Sequence, residues 1–119
     1  MATVKQIEKF LAKVEEETDV AFDVCKNGDR DWLIEGEYWS DLGEDVIISL
    51  VVDELTTEAI THEMYLYSEY FDAEEHAAEL YNLHGSHGTP TGLRALLTDA
   101  DEQQEKLDEI FEVMNKLSK

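Results

Sequence analysis

Three of the chain's four histidines and four of its carboxylates fall within FDAEEHAAELYNLHGSHG, residues 71–88. Imidazole nitrogen and carboxylate oxygen are zinc ligands. His76 and Glu79 are neighbours at i, i+3 on a helix, and His84 or His87 could complete a set. The spacing nevertheless matches no compact ligand motif. HEMYL at 62–66 lacks the second histidine that a metalloprotease helix carries at i+4. Asp99-x-Asp101 opens like a calcium loop, but Gln104 stands at the sixth position and Ile110 at the twelfth. Helix signals account for most of the polar residues instead. Asp72 is an N-cap and Glu75 sits at the reciprocal capping position. Phe71 is placed to staple, and Glu74 and Glu75 complement the positive helix end. His84 suits a helix C-terminus, and Gly85 a left-handed stop.

Other chemistry is weaker. Cys25 alternates away from the expected core face, and Ser86 is a loop serine between His84 and His87. Carboxylates are so frequent that their pairing says nothing of acid–base work. No glycine-rich phosphate loop is present. The chain reads as non-enzymatic, with no cofactor and no bound metal required.

Charge is the strongest signal. Twenty-nine Asp and Glu face nine Lys and Arg, a net −20. Between Asp31 and Leu93 there is no Lys or Arg, against fifteen Asp and Glu. Such a surface repels nucleic acid and anionic lipid, and attracts cationic partners by fast, salt-sensitive association. Salt adaptation fits poorly, because Glu outnumbers Asp 18 to 11 and Lys outnumbers Arg 7 to 2.

The elements that position these charges can be read along the 119 residues, which suit one acidic α+β domain. Thr3 and Gln6 form a capping box for a helix over about 4–16, with Val4, Ile7, Phe10, Leu11 and Val14 as its stripe. Val20, Phe22 and Val24 alternate with Ala21, Asp23 and Cys25. Asn27-Gly28 signals a tight hairpin turn. Trp32, Ile34 and Tyr38 then share one strand face, and Leu33, Glu35, Glu37 and Trp39 the other. VIISLVVD is apolar on both faces and is expected to be the best-buried, central strand. A helix follows Thr56, with Ala59, Ile60, Met64, Tyr67 and Phe71 in register. Another covers about 73–83. Thr89-Pro90 opens a short helix to about 97, and Thr98 and Asp99 cap a last one over about 99–117. Leu107, Ile110, Phe111, Met114 and Leu117 line that helix, opposite Asp101, Glu105, Asp108 and Glu112. The expected fold is a helix, a three-stranded antiparallel sheet, then three to four helices packed on it. Tyr65, Tyr67, Tyr70, Phe71 and Tyr81 are expected at the core boundary, and Trp39 is the best exposed aromatic anchor. The single cysteine and the lack of a leader or a spanning segment suit a soluble, cytoplasmic chain.

FDAEEHAAELY, GTPTGLRALL and TDADEQQEKLDEIFEVM, within about 70–117, resemble small acidic proteins of bacterial prophages and integrative elements. No catalytic residues come with that resemblance. The helix–three strands–helix order is similar to that of anti-CRISPR proteins that mimic DNA. It also matches double-stranded RNA-binding domains, but those need basic groove contacts.

The first reading is therefore a non-enzymatic mobile-element protein. It would present carboxylates to a basic nucleic-acid-binding protein, as an anti-restriction or anti-CRISPR DNA mimic. The contact candidates are Glu35, Glu37, Trp39, Asp41, Glu44, Asp45, Asp53, Glu54, Glu58, Glu69, Asp72, Glu74 and Glu75. A second reading is a homo-oligomeric accessory protein, paired through Leu107, Ile110, Met114 and Leu117. A third is a metal-dependent enzyme using His76, Glu79 and His84, with His87 a further candidate ligand.

Overall fold

A computed structural model describes residues 3–84 and 93–119. The architecture is α+β, in the order α1 (Val4–Thr18), β1 (Ala21–Asn27), β2 (Asp31–Trp39), β3 (Asp45–Val52), α2 (Thr57–Tyr70), α3 (Ala73–His84) and α4 (Leu93–Leu117).

Local signals start the helices as expected. The Thr3 hydroxyl accepts from Gln6 N at 3.2 Å, and Gln6 Oε1 accepts from Thr3 N at 2.8 Å. Two orphan amides of α1 are thereby satisfied. The helix ends at Asp19, whose φ of 61° is left-handed and whose N–H reaches Glu15 O. Asp tolerates that conformation. Thr56 caps α2 by accepting from Ala59 N at 3.0 Å. Asp72 does the same for Glu75 N at 3.1 Å in α3.

The strands form an antiparallel meander in the order β1-β2-β3. Asn27 pairs with Asp31, so the first hairpin closes through three residues, with Gly28 at φ 73°. The expected two-residue turn at Asn27-Gly28 is thus one residue longer, and only the glycine takes positive φ. Trp39 pairs with Asp45, and residues 40–44 make the second turn. There the Ser40 hydroxyl accepts from Glu44 N at 3.1 Å, and Gly43 takes φ 84°.

The alternation of β1 and β2 holds. Val20, Phe22, Ile34, Ile48, Leu50 and Val52 are buried in one core with Ile7, Leu11, Val14, Ile60, Met64, Leu107, Ile110 and Met114. Burying each such side chain stabilises the fold by about 1.5–3 kcal/mol before its ordering entropy is deducted. Gly36 belongs to this face because a Cβ there would lie 2.6 Å from Cδ1 of the Phe22 ring. The glycine leaves room for the Phe22 ring against the neighbouring strand. The helices α1 and α2 lie on β1 and β3, and α4 packs against α1, α2 and α3.

Two expectations are corrected. The apolar third strand is an edge, not the centre, because both connections are hairpins and β2 lies between its sequence neighbours. Its Ile47 and Val51 are 50% and 45% exposed. The chain from Leu93 to Leu117 is one helix, without a break at Thr98. The Thr98 hydroxyl donates back to Arg94 O at 3.0 Å, and Asp99 accepts from the Gln103 side chain rather than capping. Both side chains bond at four-residue spacing within the helix, an arrangement that a continuous helix accommodates. Thr89 and Pro90 lie outside the described residues.

Candidate functional site

The alternation that buries one sheet face leaves the other open. In strand register its rows read Trp39–Asp45, then Ala21–Glu37–Ile47, Asp23–Glu35–Ser49, Cys25–Leu33–Val51 and Asn27–Asp31. Five carboxylates share this face, and the one basic strand residue, Lys26, pairs with Trp32 on the covered side. Its Nζ lies 4.4 Å from the Trp32 ring centroid. Same-face residues are about 6.8 Å apart along a strand and about 4.8 Å apart across strands. Like charges are therefore held close. Glu37 shows the consequence, its carboxyl raised above the ordinary 4.5. A hydrogen bond shared with Asp45 contributes most, followed by repulsion from Asp45.

Beside this face runs a groove of about 680 Å³, lined on one side by Glu37, Tyr38, Trp39, Ser40 and Asp41 and on the other by α4 from Asp99 to Glu109. Register explains the gap. Strand β1 begins at Ala21, opposite Glu37, so Tyr38 and Trp39 project past their neighbour. Asp19, at the end of α1, closes that side. Glu102 is raised above the ordinary 4.5, first by a hydrogen bond shared with Asp41, then by that residue's charge, by desolvation, and by Asp99 and Glu105. The Tyr38 hydroxyl is pushed up by burial, then by Asp99 and Glu44. Trp39, 65% exposed, stands where face and groove meet.

The contact candidates divide on this map. Glu35, Glu37, Trp39 and Asp45 lie on the open face, and Asp41 lines the groove. Glu44 is tied to the fold. Its Oε1 meets His76 Nε2 at 2.9 Å, and its Oε2 accepts from Gln103 Nε2 at 2.7 Å. These bonds clamp the second turn to α3 and α4. Asp53, Glu54, Glu58 and Glu69 are exposed around β3 and α2. Asp72, Glu74 and Glu75 serve the start of α3. Sequence reasoning missed Asp19, Asp23, Asp31, Asp99, Glu102, Glu105 and Glu109. The strand alternation already placed Asp23 and Asp31. Asp19 reaches the groove from the end of α1, and the four acids of α4 meet β2 only through the docking of that helix.

The histidine question is answered in part. His76 bonds to Glu44, and its ring packs 5.4 Å from Phe71. His84 closes α3, and His87 lies outside the described residues. Among the described residues no group of three His, Cys, Asp or Glu is arranged to hold a metal ion. Leu107, Ile110 and Met114, the proposed pairing stripe, are buried in the chain's own core, with Leu117 packed against it. Among the described residues no helix is long and apolar enough to cross a membrane. No protein-family model, no curated protein and no solved structure matches the chain.

Proposed function

We propose that the chain is a non-enzymatic binding protein whose open sheet face and adjoining groove engage a basic nucleic-acid-binding protein in place of DNA. The observation that carries this reading is the open face itself, with five strand carboxylates, no Lys or Arg, and exposed apolar residues among them. Side chains alternating with solvating bases would suffice for solubility. A face that leaves its carboxylates unneutralised loses stability to self-repulsion, which a cationic partner reverses. Arg and Lys that normally contact phosphate would meet carboxylates of the same sign, through charge-assisted hydrogen bonds. The prophage and integrative-element resemblance fits an anti-restriction or anti-CRISPR role for such a mimic.

The alternative of self-association through this face is disfavoured by the same charges, because two copies would set five carboxylates against five. Trp39, Ile47 and Val51 supply apolar contact, with Trp39 the anchor.

The test is capture of basic nucleic-acid enzymes at low salt, followed by a salt gradient and competition with duplex DNA. One enzyme that elutes late and is displaced by duplex supports the reading. Reversal of Glu35, Glu37 and Asp45 to Lys should abolish that capture while circular dichroism stays unchanged. Glu44 is left out of this variant, because its loss would unclamp the turn. Early elution of many basic proteins alike, or capture undiminished in the triple variant, sinks the proposal.

A further inference from the structure

Among the described residues, two buried polar atoms on side chains that line the groove, Oδ1 of Asp99 and the hydroxyl of Tyr38, find no hydrogen-bond partner. Asp99 is only 4% exposed. Its second oxygen, Oδ2, accepts from Gln103 Nε2 at 3.1 Å. The same Gln103 nitrogen also donates to Glu44, which holds the amide in place. Buried polar atoms are nearly always partnered, so an orphan acceptor beside an orphan hydroxyl calls for an explanation. The two groups feel each other, since Asp99 helps to push the Tyr38 hydroxyl up. Around them stand Asp19, Asp41, Glu102 and Glu105. Lys106 also lines the groove, but its Nζ is engaged by Glu109 at 3.4 Å.

A partner for Asp99 Oδ1 must donate, and the carboxylates around it favour one that is cationic. A guanidinium answers both needs. It carries donors only, in a planar fork that reaches two acceptors at once. It sheds water more readily than an ammonium and stacks on aromatic rings. The indole of Trp39 lines the same groove. We infer that the groove receives an arginine side chain of a basic partner segment, which donates to Asp99 Oδ1 and the Tyr38 hydroxyl while its plane packs on Trp39. This rests on the reading that the acidic surface engages a basic protein, and it makes arginine, rather than positive charge at large, the feature recognised.

Hexa-arginine and hexa-lysine peptides are titrated against the full chain, by tryptophan fluorescence and by calorimetry, at low and at moderate salt. Hexa-arginine should bind at least tenfold tighter, with the preference growing as salt screens the general field. Asp99→Asn and, separately, Trp39→Ala should remove most of that preference. The pair Asp23→Asn with Glu35→Gln, on the open face away from the groove, should weaken both peptides alike and leave the ratio unchanged. Should Asp99→Asn fail to fold, the exposed Glu102→Gln must still lower the ratio. Equal binding of the two peptides, or a ratio indifferent to the groove variants, overturns the arginine site and leaves the acidic-surface reading standing. No binding of either peptide at low salt overturns both.

Discussion

On β2, Ile34 is fully buried under the helices, while Glu35, one residue on, stands in water opposite Asp23 and Ser49. The same comparison runs down the whole sheet. The covered face is apolar and closely fitted, to the point that Gly36 makes room for a phenyl ring. The open face carries like charges at strand spacing, which raise Glu37 through Asp45 and Glu35. One side packs the core. The other holds like charges together, and acids of α4 stand across the groove from it.

The contrast breaks most visibly on the covered side. Ile34→Ala should cost about 2–5 kcal/mol, since it leaves a cavity among β2, β3 and the helices. Glu35→Ala, its neighbour, should stay within about 0.5 kcal/mol. Urea unfolding of the two variants measures the difference directly, and similar losses would mean the open face is structural after all. Next comes Gly36→Ala, which must push the Phe22 ring away and should cost about 1–3 kcal/mol by overpacking. Phe22→Leu in the same background should recover part of that loss.

The smallest effect lies on the open side, in the pH dependence. Glu37 and Glu102 are raised in the folded chain, so the folded state binds more protons than the unfolded one. The sign follows from linkage: stability falls as pH rises from the ordinary 4.5 through the raised folded values, and the penalty is absent below that window. Melting temperature followed from pH 7 down to 5 should therefore rise more in the wild type than in Glu37→Gln with Glu102→Gln. Both groups are solvent-facing, so added salt should narrow the gap between the two proteins. Parallel curves at low salt would show that these acids do not repel one another in the fold.

How much of this was readable in the residues depends on range. The capping box of Thr3 and Gln6, the cap at Asp72 and the two faces of β1 and β2 rest on contacts within a few residues, and they were legible. The same holds for Trp39, placed outward by alternation alone. The place of β3 in the sheet is the exception, because a run with apolar residues on both faces signals burial, and here half of it faces water. Thr98 and Asp99 look like a helix start in isolation, yet their side chains bond within α4.

Composition and periodicity thus determined the helices, the alternation of the strands and the sign of the surface, because each is written in neighbours along the chain. The groove is different. Asp41 in a turn, Asp19 at a helix end and Asp99 and Glu102 in α4 come together only when that helix docks beside the overhanging end of β2. Burial of Asp99 with one oxygen unpartnered among the described residues is likewise a product of packing. No local pattern encodes it, because solvent exclusion depends on which distant surfaces meet.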